Sequence, residues 1–157
     1  NERHDLIAVE CVNVGVVFGL LGFTTGTIWG SYSWGNISFF LREEPKVLMA
    51  LAAVLIYMAY LVLRGSINEE QKRGRVSAVY NIFAFVMFLV FTMIAPRMVE
   101  NSMHPGADGN PALDFSDSDH LLKLVFYPAV VAYTLIGLWL VDIRVRTRTL
   151  RNKLLEG

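Results

Sequence analysis

The chain has one cysteine, Cys11, among its 157 residues. A single thiol excludes an internal disulfide, a CxxC redox pair and a CxxCH haem-attachment motif. A glycine-rich phosphate loop, a HExxH pair and a GxSxG elbow are also missing, so nothing reads as an ATPase, protease or esterase. No carboxylate lies at the centre of an apolar run, which argues against a proton-coupled transporter.

Apolar side chains are what the sequence has in excess. They make up 54% of residues at a formal net charge of +0, and mean hydropathy is +0.45. They fall into four blocks, 6–28, 47–63, 76–95 and 121–141. Each block is about 17–23 residues long, enough to cross a hydrocarbon core as a helix. The block VLMALAAVLIYMAYLVL carries no charge on any face, whereas a soluble helix would keep a polar stripe. The expected fold is all-α: a polytopic membrane helical bundle, one integral domain over 1–157, with spans near 7–28, 47–63, 78–96 and 121–141. The opening Asn1-Glu2-Arg3-His4-Asp5, without methionine or signal pattern, reads as the start of a fragment.

Positive charge sets sidedness. Arg3, Arg64, Lys72, Arg73, Arg75, Arg144, Arg146, Arg148, Arg151 and Lys153 fall on one side, and Arg42, Lys46, Arg97 and Lys123 on the other. Both termini and the loop at 64–75 are expected to be cytoplasmic, with the loops at 29–46 and 97–120 outside. The basic stretch from Arg144 reads as a topology-setting segment beside membrane lipid rather than a nucleic-acid site.

Gly15, Gly19, Gly22 and Gly26 share one face of the first helix, a groove suited to helix packing. Glu10 and Asn13 are expected to be solvated or paired locally. Pro128 should kink the last helix, and Ser116-Asp117-Ser118-Asp119 should cap its start.

Candidate binding residues gather on the outer side. Trp29, Tyr32 and Trp34 lie in an aromatic, glycine-broken loop, with Trp29-Gly30 and Trp34-Gly35 as paired dipeptides. An interfacial aromatic belt explains tryptophans there, yet a belt does not need the glycines, and a shelf for a flat ligand does. His104, in Asn101-Ser102-Met103-His104-Pro105-Gly106, is the candidate metal ligand, because imidazole is a common axial ligand of haem iron. Arg97 can reach a lipid phosphate or an acidic ligand group from the interface. His120 reads as a helix start, Met103 as packing, and His4 lies on the opposite side.

These residues together resemble the CcmC family, haem-handling membrane proteins of cytochrome c maturation. The matching stretch is Thr25-Gly26-Thr27-Ile28-Trp29-Gly30, followed by Trp34-Gly35. The next helix ends in Tyr57-Met58-Ala59-Tyr60-Leu61-Val62-Leu63-Arg64, and Met103-His104-Pro105 stands where the family carries a haem-ligating histidine. In place of the family's further tryptophans and acidic residue stand Ile37-Ser38-Phe39-Phe40-Leu41-Arg42-Glu43-Glu44-Pro45.

The resemblance implies the later four of six helices, the missing pair supplying a second outer histidine. It implies haem b presented at the periplasmic face of a bacterial inner membrane, to a haem chaperone and with ABC-transporter subunits, without enzymatic bond breaking. His104 would ligate the iron. Trp29, Trp34, Tyr32 and Phe39 would cover the porphyrin, and Arg97 would meet a propionate. The rival readings are a structural subunit whose aromatic loop meets another protein, and a small-molecule transporter with its path along the glycine stripe.

Overall fold

The computed structural model describes residues 2–35, 44–99 and 120–156. Its elements are α1 (Glu2–Trp34), α2 (Pro45–Gly65), α3 (Glu70–Leu89) and α4 (His120–Glu156). A π-helical turn, Val90–Ile94, and a 3-10 turn, Ala95–Met98, prolong α3. Every described element is helical, and four helices are long and apolar enough to cross a membrane. The all-α expectation therefore holds.

The helices outrun the apolar blocks that predict them. α1 continues through Gly30 to Trp34 and stops at Gly35, whose φ of +97° a side chain would resist. Thr24, Thr25, Thr27 and Ser31 donate their hydroxyls to carbonyls three or four residues back. Polar side chains are thereby satisfied within the helix in an apolar setting. The aromatic residues expected in a loop accordingly ride the last turns of α1, and the glycines within it do not break the helix.

α3 likewise starts at Glu70 rather than near Ser77. Glu70, Gln71, Lys72 and Arg73 are good helix formers, and Arg73 reaches Glu70 at 3.4 Å. Polarity here ends the apolar run without ending the helix. At the far end Pro96 has no N–H to continue the ladder, and the turns before and around it depart from α geometry. α4 runs unbroken through Pro128. Its 37 residues extend about 55 Å, against a hydrocarbon core of about 30 Å.

Adjacent helices run antiparallel. Arg64 at the end of α2 pairs with Asp5 at the start of α1. The Tyr80 hydroxyl on α3 donates to the Ile56 carbonyl of α2 at 3.1 Å. A buried cluster of Val9, Val12, Val16 and Tyr60 joins α1 to α2, with Leu6, Tyr57, Leu61 and Tyr80 packed around it. Ala53 and Ala84 are fully enclosed, small residues that let backbones approach where lipid gives no hydrophobic drive to association.

Among the described elements α4 packs on α1 alone. Phe18 fits against Gly137, where an added Cβ would lie 3.2 Å from its ring, and its edge meets Tyr133. Along the predicted glycine groove, among the described residues, only Gly19 meets a neighbour, with Val54 3.0 Å from where its Cβ would stand. Gly15, Gly22 and Gly26 face open space. Among the described residues the groove is thus used for packing at one position.

Candidate functional site

The antiparallel order gives the bundle a basic end and an aromatic end. At the aromatic end lie the close of α1, the start of α2, the 3-10 turn after α3 and the start of α4. Trp29 and Trp34 meet edge to face, ring centroids 5.0 Å apart and planes at 77°. That geometry suits indole quadrupoles. Trp29 remains 55% exposed and Tyr32 91% exposed, three residues apart on one side of the helix. Arg97, in the 3-10 turn, is exposed at this same end.

The structure thus brings the two candidate tryptophans into contact and sets Tyr32 and Arg97 at their end of the molecule. His104 and Phe39, and the cap at Ser116-Asp117-Ser118-Asp119, lie outside the described residues. His120 opens α4, as expected of a helix start. Among the described residues no group of three or more His, Cys, Asp and Glu side chains gathers to hold a metal ion.

Sequence reasoning passed over Lys46. It stands in the first turn of α2 at the aromatic end, its Nζ buried without a hydrogen-bond partner among the described residues. An ammonium in such a place favours an anion. Lysine one residue after a helix-starting proline was the only signal, and charge counting alone assigned it to sidedness.

The basic end is built differently. Asp5 accepts a two-pronged ion pair from Arg64, with Nη1 to Oδ1 at 2.8 Å and Nη2 on Oδ2. Glu10, expected to be solvated or paired locally, is fully enclosed and finds its main partners on α4. Arg144 donates through Nε to its Oε2, and Arg148 Nε lies 2.7 Å from Oε1. Oε1 has no aligned hydrogen bond, so the Arg148 approach is charge to charge. Asn13 adds a long contact to Oε2 at 3.5 Å. The two arginines are one turn apart and grip one carboxylate. Their spacing was visible in sequence, but their partner lies on the opposite side of the chain order.

The model described as cytochrome C assembly protein matches residues 1–113. The chain belongs to the cytochrome c assembly protein family. It is 25% identical to heme exporter protein C of Paracoccus denitrificans over 159 residues, 98% of this chain and 63% of that relative. It is 29% identical over 82 residues to cytochrome c biogenesis protein CcsA of a Synechococcus species, 52% of this chain and 26% of that relative. A Prochlorococcus marinus CcsA is 30% identical over 87 residues, 55% of this chain and 27% of that relative. The chain thus spans under two thirds of each of these relatives. No solved structure matches it. The resemblance to CcmC drawn from the Trp-Gly stretch is borne out by the first of these relatives, whose match runs nearly the whole chain.

Proposed function

We propose that this membrane protein binds haem and presents it at the outer, periplasmic face of a bacterial inner membrane during cytochrome c biogenesis. The observation that carries the reading is the aromatic end itself. It sets the Trp29–Trp34 pair and the open ring of Tyr32 at the same end as the cations Arg97 and Lys46. A flat apolar macrocycle with two carboxylates calls for that combination, aromatic faces beside positive charge. Membership of the cytochrome c assembly family supports the same cargo.

In this reading Trp29, Trp34, Tyr32 and Phe39 cover the porphyrin and His104 supplies one axial ligand to the iron. Arg97 pairs with a propionate, and Lys46 offers a second cation. The cargo is handed to a haem chaperone, with ABC-transporter subunits as further partners. No bond in haem is broken, so the protein acts as a carrier rather than an enzyme. The basic end faces the cytoplasm by the positive-inside rule.

The test is the absorbance spectrum of detergent-purified protein with added haem, compared with His104→Ala. Loss or a shift of the Soret band, with weaker haem binding, is expected of the variant. An unchanged Soret band and unchanged affinity would remove His104 from the iron.

A further inference from the structure

The basic end carries a second feature that the haem reading does not use. An open-sided groove of about 560 Å³ lies between the end of α2 and the start of α3. Leu63, Val76, Val79, Tyr80 and Phe83 line it, and Arg75 stands at its mouth. Val76, Val79, Tyr80 and Phe83 follow the i, i+3, i+4, i+7 spacing of one helix stripe. Val79 and Phe83 are exposed although apolar. The Tyr80 hydroxyl is already committed to the Ile56 carbonyl, so this residue offers the groove its ring.

Of the charges around the groove, Arg75 is the one that lines it, with Lys72 exposed one turn before it on the same helix. Arg64 is held by Asp5, and Arg73 by Glu70. Arg144 and Arg148 share Glu10, and Arg146 pairs with Asp142 at 2.9 Å. Arg75 is exposed and has no carboxylate partner among the described residues. It precedes the apolar stripe by one residue, toward the aqueous start of α3, the level at which a snorkelling guanidinium meets headgroups.

We propose that this groove is a binding site for an anionic phospholipid, with an acyl chain along Leu63, Val79 and Phe83 and the phosphate on Arg75. Two features together select this occupant. The groove is apolar and open on a membrane-spanning surface, and the cation that lines it, Arg75, has no carboxylate partner among the described residues and sits toward the aqueous end. A zwitterionic lipid fills the groove equally well but gains less from Arg75, since its headgroup carries its own cation. The site is independent of the haem reading and stands at the opposite end of the molecule.

The experiment reconstitutes the full chain in nanodiscs of equal parts phosphatidylglycerol and phosphatidylcholine. Lipids retained on the protein are then counted by native mass spectrometry. The wild type retains phosphatidylglycerol in preference, by roughly five-fold for one arginine contact near the membrane surface. Arg75→Gln brings the ratio down to that of the bilayer, and Arg75→Lys keeps most of the preference. Val79→Trp, which fills the groove, lowers retention of both lipids. Arg151→Gln, an exposed cation on α4 away from the groove, leaves the ratio unchanged. Equal retention of the two lipids by the wild type, or an unchanged preference in Arg75→Gln, would overturn the proposal.

Discussion

At the scale of single residues, Glu10 shows most clearly what the fold does to a charge. A carboxylate with no exposure is held by two arginines that each keep part of their surface open. The two sides of the pair therefore differ in what their loss costs. Glu10→Gln frees arginines that can turn to water or lipid phosphate. Arg144→Met with Arg148→Met leaves a buried carboxylate without a cation. We expect the double variant to lose about 3–5 kcal/mol, the range for a broken buried pair, and Glu10→Gln clearly less. Thermal unfolding in detergent reads the difference, and equal losses would mean that the clamp is not buried in solution. The apolar runs and the Trp-Gly dipeptides were legible from residue type alone. The clamp was not, because Glu10 and Arg144 are 134 positions apart and only the folded chain joins them. Nor was the exposed status of Tyr32 against the pairing of Trp29 with Trp34, which depends on where α1 stops.

At the scale of elements, spacing predicted the helices well and their ends poorly. Apolar blocks mark where a helix lies in lipid, whereas its ends are decided by local chemistry. Gly35 ends α1, Pro96 disturbs the end of α3, and the Glu70–Arg73 turn extends α3 into water. The glycines of α1 give a graded test of packing. Gly19→Leu forces α1 away from Val54 and should destabilise by about 1–3 kcal/mol, the cost of overpacking. Gly22→Ala meets open space and should be neutral or raise stability by up to about 1 kcal/mol through helix propensity. Melting temperatures of the two variants check this. A loss of similar size in both would mean that another helix covers the stripe at Gly22.

At the scale of the whole molecule, the up-and-down order sends the basic residues to one end and the aromatic residues to the other. Hydrophobic runs of spanning length and the asymmetry of Arg and Lys were sufficient to anticipate that order. Ion pairs at Asp5–Arg64 and Glu10–Arg144 tie the first, second and last helices at the basic end. The sidedness itself has a direct check. In a Cys11→Ser background, Ser66→Cys and Ser102→Cys should be labelled by a membrane-impermeant thiol reagent from opposite sides. Labelling from the same side would contradict the four-span arrangement.

The proposed seat of haem at the aromatic end is tested most directly by an equilibrium haem titration followed by absorbance. The full chain, Trp29→Ala/Trp34→Ala and Trp139→Ala are compared. Trp139 lies on α4, well removed in sequence from the other two tryptophans. Two lost aromatic contacts of about 1 kcal/mol each should weaken affinity by roughly ten-fold or more in the double variant. Trp139→Ala should bind as the wild type does. Equal affinity in all three proteins would place haem elsewhere on the molecule.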